Sequence, residues 1–238
     1  MANRHTIKES SQDEARLTET TRAAALSDGV FAITITLLVL EIHRPEDYEP
    51  GGLLHALLQQ WPSYLAYAVS FLYIGVVWLN HHSLFSKLRR LNLGFRWINL
   101  GILFTTAILP FPTAVLASAL ASGNSFYDQR VAVTVYALVA AAMSASWLPV
   151  FPYLRDHPEL LVPTATAEYF HAQRPRPVIG VALYALAAPV AWFLGPTVGL
   201  SLLVVGLSLL VIMIIFHALT SEGLHEGPLG RLVRRARR

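Results

Sequence analysis

Residues 22–42 constrain the fold of this chain more than any other segment, because they place charged and polar side chains at the start of an apolar helix. The segment reads RAAALSDGVFAITITLLVLEI and runs apolar from Val30 to Leu40. An ionised carboxylate inside a hydrophobic span costs several kcal/mol unless it is paired or hydrated. Asp28 therefore predicts a polar contact with another part of the protein, at a position that matters for function.

The composition places the chain among integral membrane proteins. Of its 238 residues, 54% are hydrophobic and 14% are charged, and the mean hydropathy is +0.48. A soluble domain usually carries about 25% charged residues. Cysteine is absent, which excludes disulfides, thiolate catalysis and cysteine metal sites. Residues 1–21 are polar and lack the apolar core of a signal peptide, so we expect the first span to be retained.

Six segments have the length and composition of membrane-spanning helices, which need about 20 mainly apolar residues. They predict an all-α, polytopic membrane protein. Pro110 and Pro112 predict a break or kink in the third span. The six predicted spans are residues 23–42, 62–84, 97–120, 130–151, 177–196 and 198–219.

The distribution of Lys and Arg predicts the orientation of these spans. If the N-terminus is cytoplasmic, sixteen of the eighteen basic residues lie in cytoplasmic segments, and only Arg44 and Arg130 lie outside. Cytoplasmic loops carry such an excess of basic residues. We therefore predict a cytoplasmic segment at 1–21, a six-helix domain at 22–219 and a basic cytoplasmic tail at 220–238. We expect the tail to contact anionic lipid rather than nucleic acid.

The first span carries an apolar stripe on one side and its carboxylate on the other. On an ideal helix, Leu37 lies about 40° from Ile33 on one side, Leu40 about 20° on the other, and Thr36 about 60° away on the flank. Asp28 lies about 140° from Ile33. Ile33, Leu37 and Leu40 could be ordinary packing residues. The need of Asp28 for a protein partner on the other face leaves the stripe free to face a symmetry axis.

Partners for Asp28 are expected at the end of the second span, which reads GVVWLNHHSLF. Trp78, Asn80 and His81 lie at a matching depth, and a carboxylate can accept hydrogen bonds from indole, imidazole or hydroxyl donors. Ser27 and the guanidinium of Arg22 could join the same network. The adjacent pair His81-His82 does not predict a metal site, because neighbours on a helix diverge by about 100°.

The pattern R-x4-SDGVFAI-x2-TLLVLEI, followed by a second span that ends W-x-NHH, resembles the transmembrane protein 175 family in its bacterial form. That family is known for potassium-permeable channels. The resemblance implies a homotetramer around the first helix, with a constriction of large apolar side chains at Ile33, Leu37 and Leu40 and a selectivity layer at Thr36. It also implies an interhelical network of Arg22, Ser27, Asp28, Trp78, Asn80 and His81 that holds the first helix.

The sequence thus predicts a potassium-selective channel in the cell membrane, with K⁺ and membrane lipid as partners and both termini cytoplasmic. No nucleic-acid partner, cofactor or resident metal is expected. The alternative is a proton-coupled secondary transporter in which Asp28 and His81 relay the proton. An intramembrane enzyme lacks support, because no catalytic pair of known spacing is present.

Overall fold

The computed structural model describes residues 2–45, 48–121, 125–165, 173–201, 203–205 and 208, with the backbone alone for residues 2–18. Within these ranges the regular structure is helical, apart from an isolated β-bridge between Leu88 and Leu161. The α-helices are α1 (Ala2–Leu37), α2 (Leu53–Gln59), α3 (Trp61–Phe85), α4 (Leu93–Ala107), α5 (Pro110–Ala121), α6 (Phe126–Ala145), α7 (Val150–Asp156) and α8 (Pro175–Phe193). Short 3-10 helices cover Leu38–Glu41 and Pro158–Leu160.

Five helical segments in the described ranges are long and apolar enough to cross a membrane, and they overlap the first five predicted spans. They are Glu19–Glu41, Trp61–Phe85, Leu93–Ala121, Phe126–Asp156 and Pro175–Phe193. A shorter apolar helix, Pro196–Val205, covers the start of the predicted sixth span. Apart from Ser208, the rest of that span and the basic tail lie outside the described residues. The first span continues without interruption from the backbone helix of the polar N-terminal segment.

Local sequence explains where several helices begin and break. The side chain of Asn92 accepts a hydrogen bond from the Phe95 amide (2.9 Å) and caps α4. Ser125 caps α6 in the same way by accepting from the Asp128 amide. A capping side chain satisfies one of the amides that has no partner within the helix. The third span divides into α4 and α5 just before Pro110, as predicted, since proline removes the amide that would continue the helix.

The helices pack around two hydrophobic clusters. The larger cluster joins α1, α3, α4, α5, α6 and α8, and includes the buried side chains of Phe31, Leu38 and Ile74. A second cluster lies where α3 ends, and includes Leu84, Phe95 and Phe151. Helix α1 packs along α3 and α4, and the 3-10 helix that follows it packs against α3 and α5. The functional candidates on α1 are therefore positioned mainly by α3 and α4.

Candidate functional site

Helix α1 has two apolar faces. One packs against the other helices, and the other points away from them. Phe31, Thr34 and Leu38 are buried against the other helices, with exposed fractions of 1%, 2% and 0%. The Thr34 hydroxyl donates to the carbonyl of Val30 (2.7 Å), which satisfies it within its own helix. Ile35 is partly buried and packs against the larger cluster.

The stripe predicted from the sequence lies on the opposite face. Ile33, Leu37 and Leu40 have exposed fractions of 61%, 42% and 68% in the single chain. Thr36 is exposed beside them, and its hydroxyl donates to the carbonyl of Ile33 (2.8 Å). A hydroxyl that donates in this way keeps its oxygen lone pairs available to accept or to contact a cation.

The end of the stripe differs from the ideal helix assumed in the sequence analysis. The chain tightens into a 3-10 helix at Leu38–Glu41. Residues three apart eclipse one another in a 3-10 helix, which has about three residues per turn. By this geometry Leu40 is expected closer to the direction of Leu37 than a regular α-helix would place it.

Three helices are joined by a buried chain of polar side chains. The Asn99 amide of α4 donates to the Ser27 hydroxyl of α1 (3.1 Å), and its oxygen lies 2.8 Å from Nε2 of His81 on α3. Ser27 in turn donates to the carbonyl of Ala23 (2.9 Å). Because Asn99 offers both a donor and an acceptor, it connects the hydroxyl and the imidazole without leaving either group unpaired.

Aromatic rings enclose the imidazole of His81. Phe31 of α1 meets it edge to face at 5.2 Å between ring centroids, and Phe85 stacks on it at 4.3 Å. Trp147 meets it edge to face at 6.4 Å. His81 is 1% exposed. The ring therefore fixes α1 through packing against Phe31 as well as through the hydrogen bonds of Asn99.

The carboxylate of Asp28 has a different partner from the imidazole. The indole N–H of Trp78 donates to Oδ1 of Asp28 (2.9 Å), while His81 bonds to Asn99. Asp28 is exposed in the single chain. Asp28 and His81, the two groups named for a proton relay, thus belong to separate hydrogen-bonded pairs, whose α3 members are Trp78 and His81.

The remaining predicted network residues lie apart from these pairs. Asn80 faces α8, where the guanidinium of Arg176 donates to its side-chain oxygen (3.3 Å). Arg22 is exposed and hydrogen-bonds no other residue in the described part of the chain. Across the described ranges, no three His, Asp or Glu side chains are grouped so that they could hold a metal ion.

The sequence analysis missed Asn99, although a signal was present. An amide side chain in the middle of the apolar stretch RWINLGILF is costly unless it is hydrogen-bonded, just as a carboxylate is. Asn99 could therefore have been named as a polar link between helices. Its partners could not have been named, because Ser27 and His81 are 72 and 18 residues away along the chain.

The sequence and the fold both match known proteins. Residues 22–110 match the model of the family described as "Endosomal/lysosomal potassium channel TMEM175". A potassium channel of Streptomyces collinus is 42% identical over 180 residues, which cover 76% of this chain and 86% of that relative. A potassium channel of Chamaesiphon minutus is 44% identical over 158 residues, which cover 66% of this chain and 71% of that relative.

A solved structure shares the fold as well as the sequence. The crystal structure of a lysosomal potassium-selective channel TMEM175 homolog from Chamaesiphon minutus superposes with a TM-score of 0.70 at 34% identity, and the match covers 83% of this chain and 98% of that one. The matched family segment contains the part of α1 that begins at Arg22, which carries the exposed stripe, together with His81 and Asn99. With relatives this similar over most of their length, the chain belongs to the TMEM175 family.

Proposed function

We propose that the chain is a potassium-selective channel that assembles as a homotetramer around α1 in the cell membrane. The observation that carries the proposal is the exposed row of Ile33, Leu37 and Leu40 on a helix whose opposite face is locked into the bundle. The relatives from Streptomyces collinus and Chamaesiphon minutus, which are named potassium channels, support the same function.

Exposed polar groups on α1 favour an assembly over a lone chain in lipid. The carboxylate of Asp28 is exposed although it lies inside the segment Glu19–Glu41, and a charge facing hydrocarbon is costly. A neighbouring subunit that covers Asp28 and Trp78 removes that cost. The Ile33 stripe points to a different side of α1 and is then left to face the central axis.

The constriction would select potassium by the cost of dehydration. A narrow ring of Ile33, Leu37 and Leu40 side chains offers no oxygen to replace water, so an ion passes only after it loses part of its hydration shell. Potassium loses water more cheaply than sodium, and the Thr36 hydroxyl next to the ring can contact the partly dehydrated ion. Hydrophobic constrictions can also gate by dewetting.

The network residues would fix the direction in which the stripe points. Ser27 and Asp28 hold α1 from two sides, through Asn99 and Trp78 respectively, and His81 completes the first of these links. We assign Arg22 to the same network in the assembled tetramer. Asn80 holds α3 against α8 through Arg176. The predicted cytoplasmic termini follow from the basic residues and belong to this proposal.

The test is a bilayer recording of the purified protein with potassium on one side and sodium on the other. We expect discrete single-channel currents and a reversal potential displaced towards the potassium equilibrium potential, and native mass spectrometry should give four subunits. Saturating transport that follows a proton gradient, without single-channel currents, would instead indicate a carrier and overturn the proposal.

A further inference from the structure

The third span is broken beside the end of α1. Helix α4 ends at Ala107 and α5 begins at Pro110, with a turn between them. Helix α5 packs against the 3-10 helix Leu38–Glu41, which carries Leu40. The side chains of Leu38 and Leu109 are both fully buried and belong to the same hydrophobic cluster. Sharp bends in helices occur mainly at proline, so whatever holds this break also bears on the segment that carries Leu40.

A row of three buried hydroxyl groups ends at this break. Ser70 of α3 lies between Thr113 of α5 and Tyr136 of α6, with oxygen–oxygen distances of 2.8 Å and 3.0 Å respectively. The Thr113 hydroxyl also donates to the carbonyl of Leu109, at 2.8 Å. The exposed fractions of Ser70, Thr113 and Tyr136 are 0%, 1% and 4%. Because a buried hydroxyl without a partner is costly, each of these hydrogen bonds matters.

The number of hydroxyl protons fixes the direction of this hydroxyl row. Each hydroxyl has one proton to donate and lone pairs with which to accept. Thr113 uses its proton on the Leu109 carbonyl, so Ser70 is the donor to Thr113. The proton of Ser70 is then used as well, so Tyr136 is the donor to Ser70. The row therefore starts at Tyr136 on α6 and ends at the carbonyl of Leu109.

The hydroxyl row lies far along the bundle from the network of Asn99. That network holds α1 at Ser27, whereas α5 packs against the 3-10 helix that begins at Leu38. In a helix these two positions are roughly 16 Å apart. The network and the row share no residue. The two ends of the apolar stripe therefore lie near different sets of polar contacts.

A second threonine of the third span shows what the row adds. Thr106 on α4 is 1% exposed, and its hydroxyl donates to the carbonyl of Ile102 (2.8 Å) in its own helix. Thr113 makes the equivalent bond to Leu109 and in addition accepts from Ser70. It is this additional bond that joins α5 to α3, and through Ser70 to α6.

We propose that Tyr136, Ser70 and Thr113 are positioning residues for Leu40. The hydroxyl row holds α5 at the break before Pro110, and α5 in turn keeps the 3-10 helix in place. The consequence for permeation rests on the proposed pore role of Leu40, whereas the positioning itself does not. None of the three side chains is expected to touch a permeating ion, since all three are buried within the bundle.

The chain contains no cysteine, so distances can be measured between introduced thiols. Leu40→Cys is combined with Leu186→Cys, an exposed position on α8, and both thiols are spin-labelled. Co-expression with an excess of the cysteine-free full-length chain ensures that an assembly rarely carries two labelled copies. Double electron–electron resonance in lipid vesicles then gives the distance between the labels within one chain, whatever the number of subunits.

The main variant is Thr113→Val, which keeps the volume and leaves one proton of the row without an acceptor. The population at displaced distances should rise about tenfold, the effect of losing about one buried hydrogen bond. Thr113→Ser retains the hydroxyl and should restore the original distribution. Thr106→Val removes a buried hydroxyl outside the row and should leave the distribution unchanged. Equal distributions in Thr113→Val and Thr106→Val overturn the proposal.

The direction of the row provides a second test. Tyr136→Phe removes only the first donor and leaves no proton unpaired, so it should displace the labels less than Ser70→Ala, which leaves the Tyr136 proton without an acceptor. A larger displacement in Tyr136→Phe overturns the proposal. Ser70→Ala also replaces Thr113→Val if that variant does not fold. Displaced labels in Thr113→Val, with a wild type that does not conduct potassium, would support the positioning and refute the proposed function alone.

Discussion

The two apolar faces of α1 carry similar side chains and meet different surroundings. Phe31, Thr34 and Leu38 face the bundle and are buried, whereas Ile33, Thr36 and Leu37 face away and are exposed. Each face has a threonine that donates to a carbonyl of its own helix. The type of side chain therefore does not show whether a residue of α1 packs in the bundle or faces away from it. The side of the helix on which the residue lies decides this.

What fixes that direction is a set of contacts on the buried side and on the flank. Asn99 holds Ser27, the imidazole of His81 packs against Phe31, and Trp78 holds Asp28. The five predictions that follow separate the residues that orient α1 from those that we propose face the pore.

The largest effect is expected at Asp28, where Asp28→Ala removes the acceptor of the Trp78 indole. In the proposed tetramer, where a neighbouring subunit covers this pair, an unpaired indole donor costs about 1–3 kcal/mol, and the cost recurs in every subunit. We expect loss of the tetramer, measured by native mass spectrometry in detergent. Asp128→Ala, which removes an exposed carboxylate on α6 that accepts from the Ser125 hydroxyl, should remain tetrameric. If Asp28→Asn assembles and conducts like the wild type, the charge at this position is not needed.

Truncation of Phe31 tests the buried face itself. Phe31→Ala should lower the free energy of unfolding by about 3 kcal/mol, near the lower end for a buried phenylalanine, because helix association in lipid gains packing but little hydrophobic energy. The thermal unfolding midpoint in detergent measures the change. Ile33→Ala is the matched comparison and should shift the midpoint much less. Equal shifts would mean that both faces of α1 are packed.

The link through Asn99 should have the next largest effect. Asn99→Ala leaves the buried His81 imidazole without its partner, at about 1–3 kcal/mol, whereas the Ser27 hydroxyl keeps its hydrogen bond to the Ala23 carbonyl. Thr105→Val on the same helix is the control, because the Thr105 hydroxyl binds mainly carbonyls of its own helix. A thermal midpoint lower for Thr105→Val than for Asn99→Ala would contradict the role of Asn99.

The exposed face is tested by permeation rather than by stability. Ile33→Ala widens the proposed ring in every subunit, so conductance should rise and the preference for potassium over sodium should fall severalfold. Leu37→Ala and Leu40→Ala should act in the same direction, with the largest effect at the narrowest layer. Bi-ionic reversal potentials measure the change. Ile35→Ala, on the packed side, should leave it unaltered, and equal permeation changes for Ile33→Ala and Ile35→Ala would refute the assignment of the pore face.

The smallest effect is expected at Thr36. Thr36→Val keeps the volume and replaces a hydroxyl with a methyl group, so the tetramer and the thermal midpoint should be unchanged. The potassium preference, measured by bi-ionic reversal potentials, should fall less than in Ile33→Ala, because the ring still dehydrates the ion. Thr34→Val on the buried face is the control and should not change selectivity. A loss of selectivity in Thr34→Val alone would place the pore on the opposite face.

Sequence alone determined the class of the protein and the positions of its first five spans, because hydropathy over about 20 residues is a local property imposed by the thickness of the bilayer. The break before Pro110 follows from local chemistry in the same way. Helix geometry also gave the stripe of Ile33, Leu37 and Leu40. The resemblance of residues 22–42 to a known family added the potassium channel and the constriction role of this stripe, which stays a prediction.

Only the tertiary structure decided which polar groups meet. Several donors at the end of the second span could have hydrogen-bonded to Asp28. In the structure Trp78 is the donor to Asp28, and His81 pairs with Asn99 instead. The sequence analysis likewise assumed a regular α-helix through Leu40, whereas the structure has a 3-10 turn at Leu38–Glu41 that packs against α3 and α5. These choices follow from the lateral packing of helices that are far apart in the chain, and no local periodicity encodes such contacts.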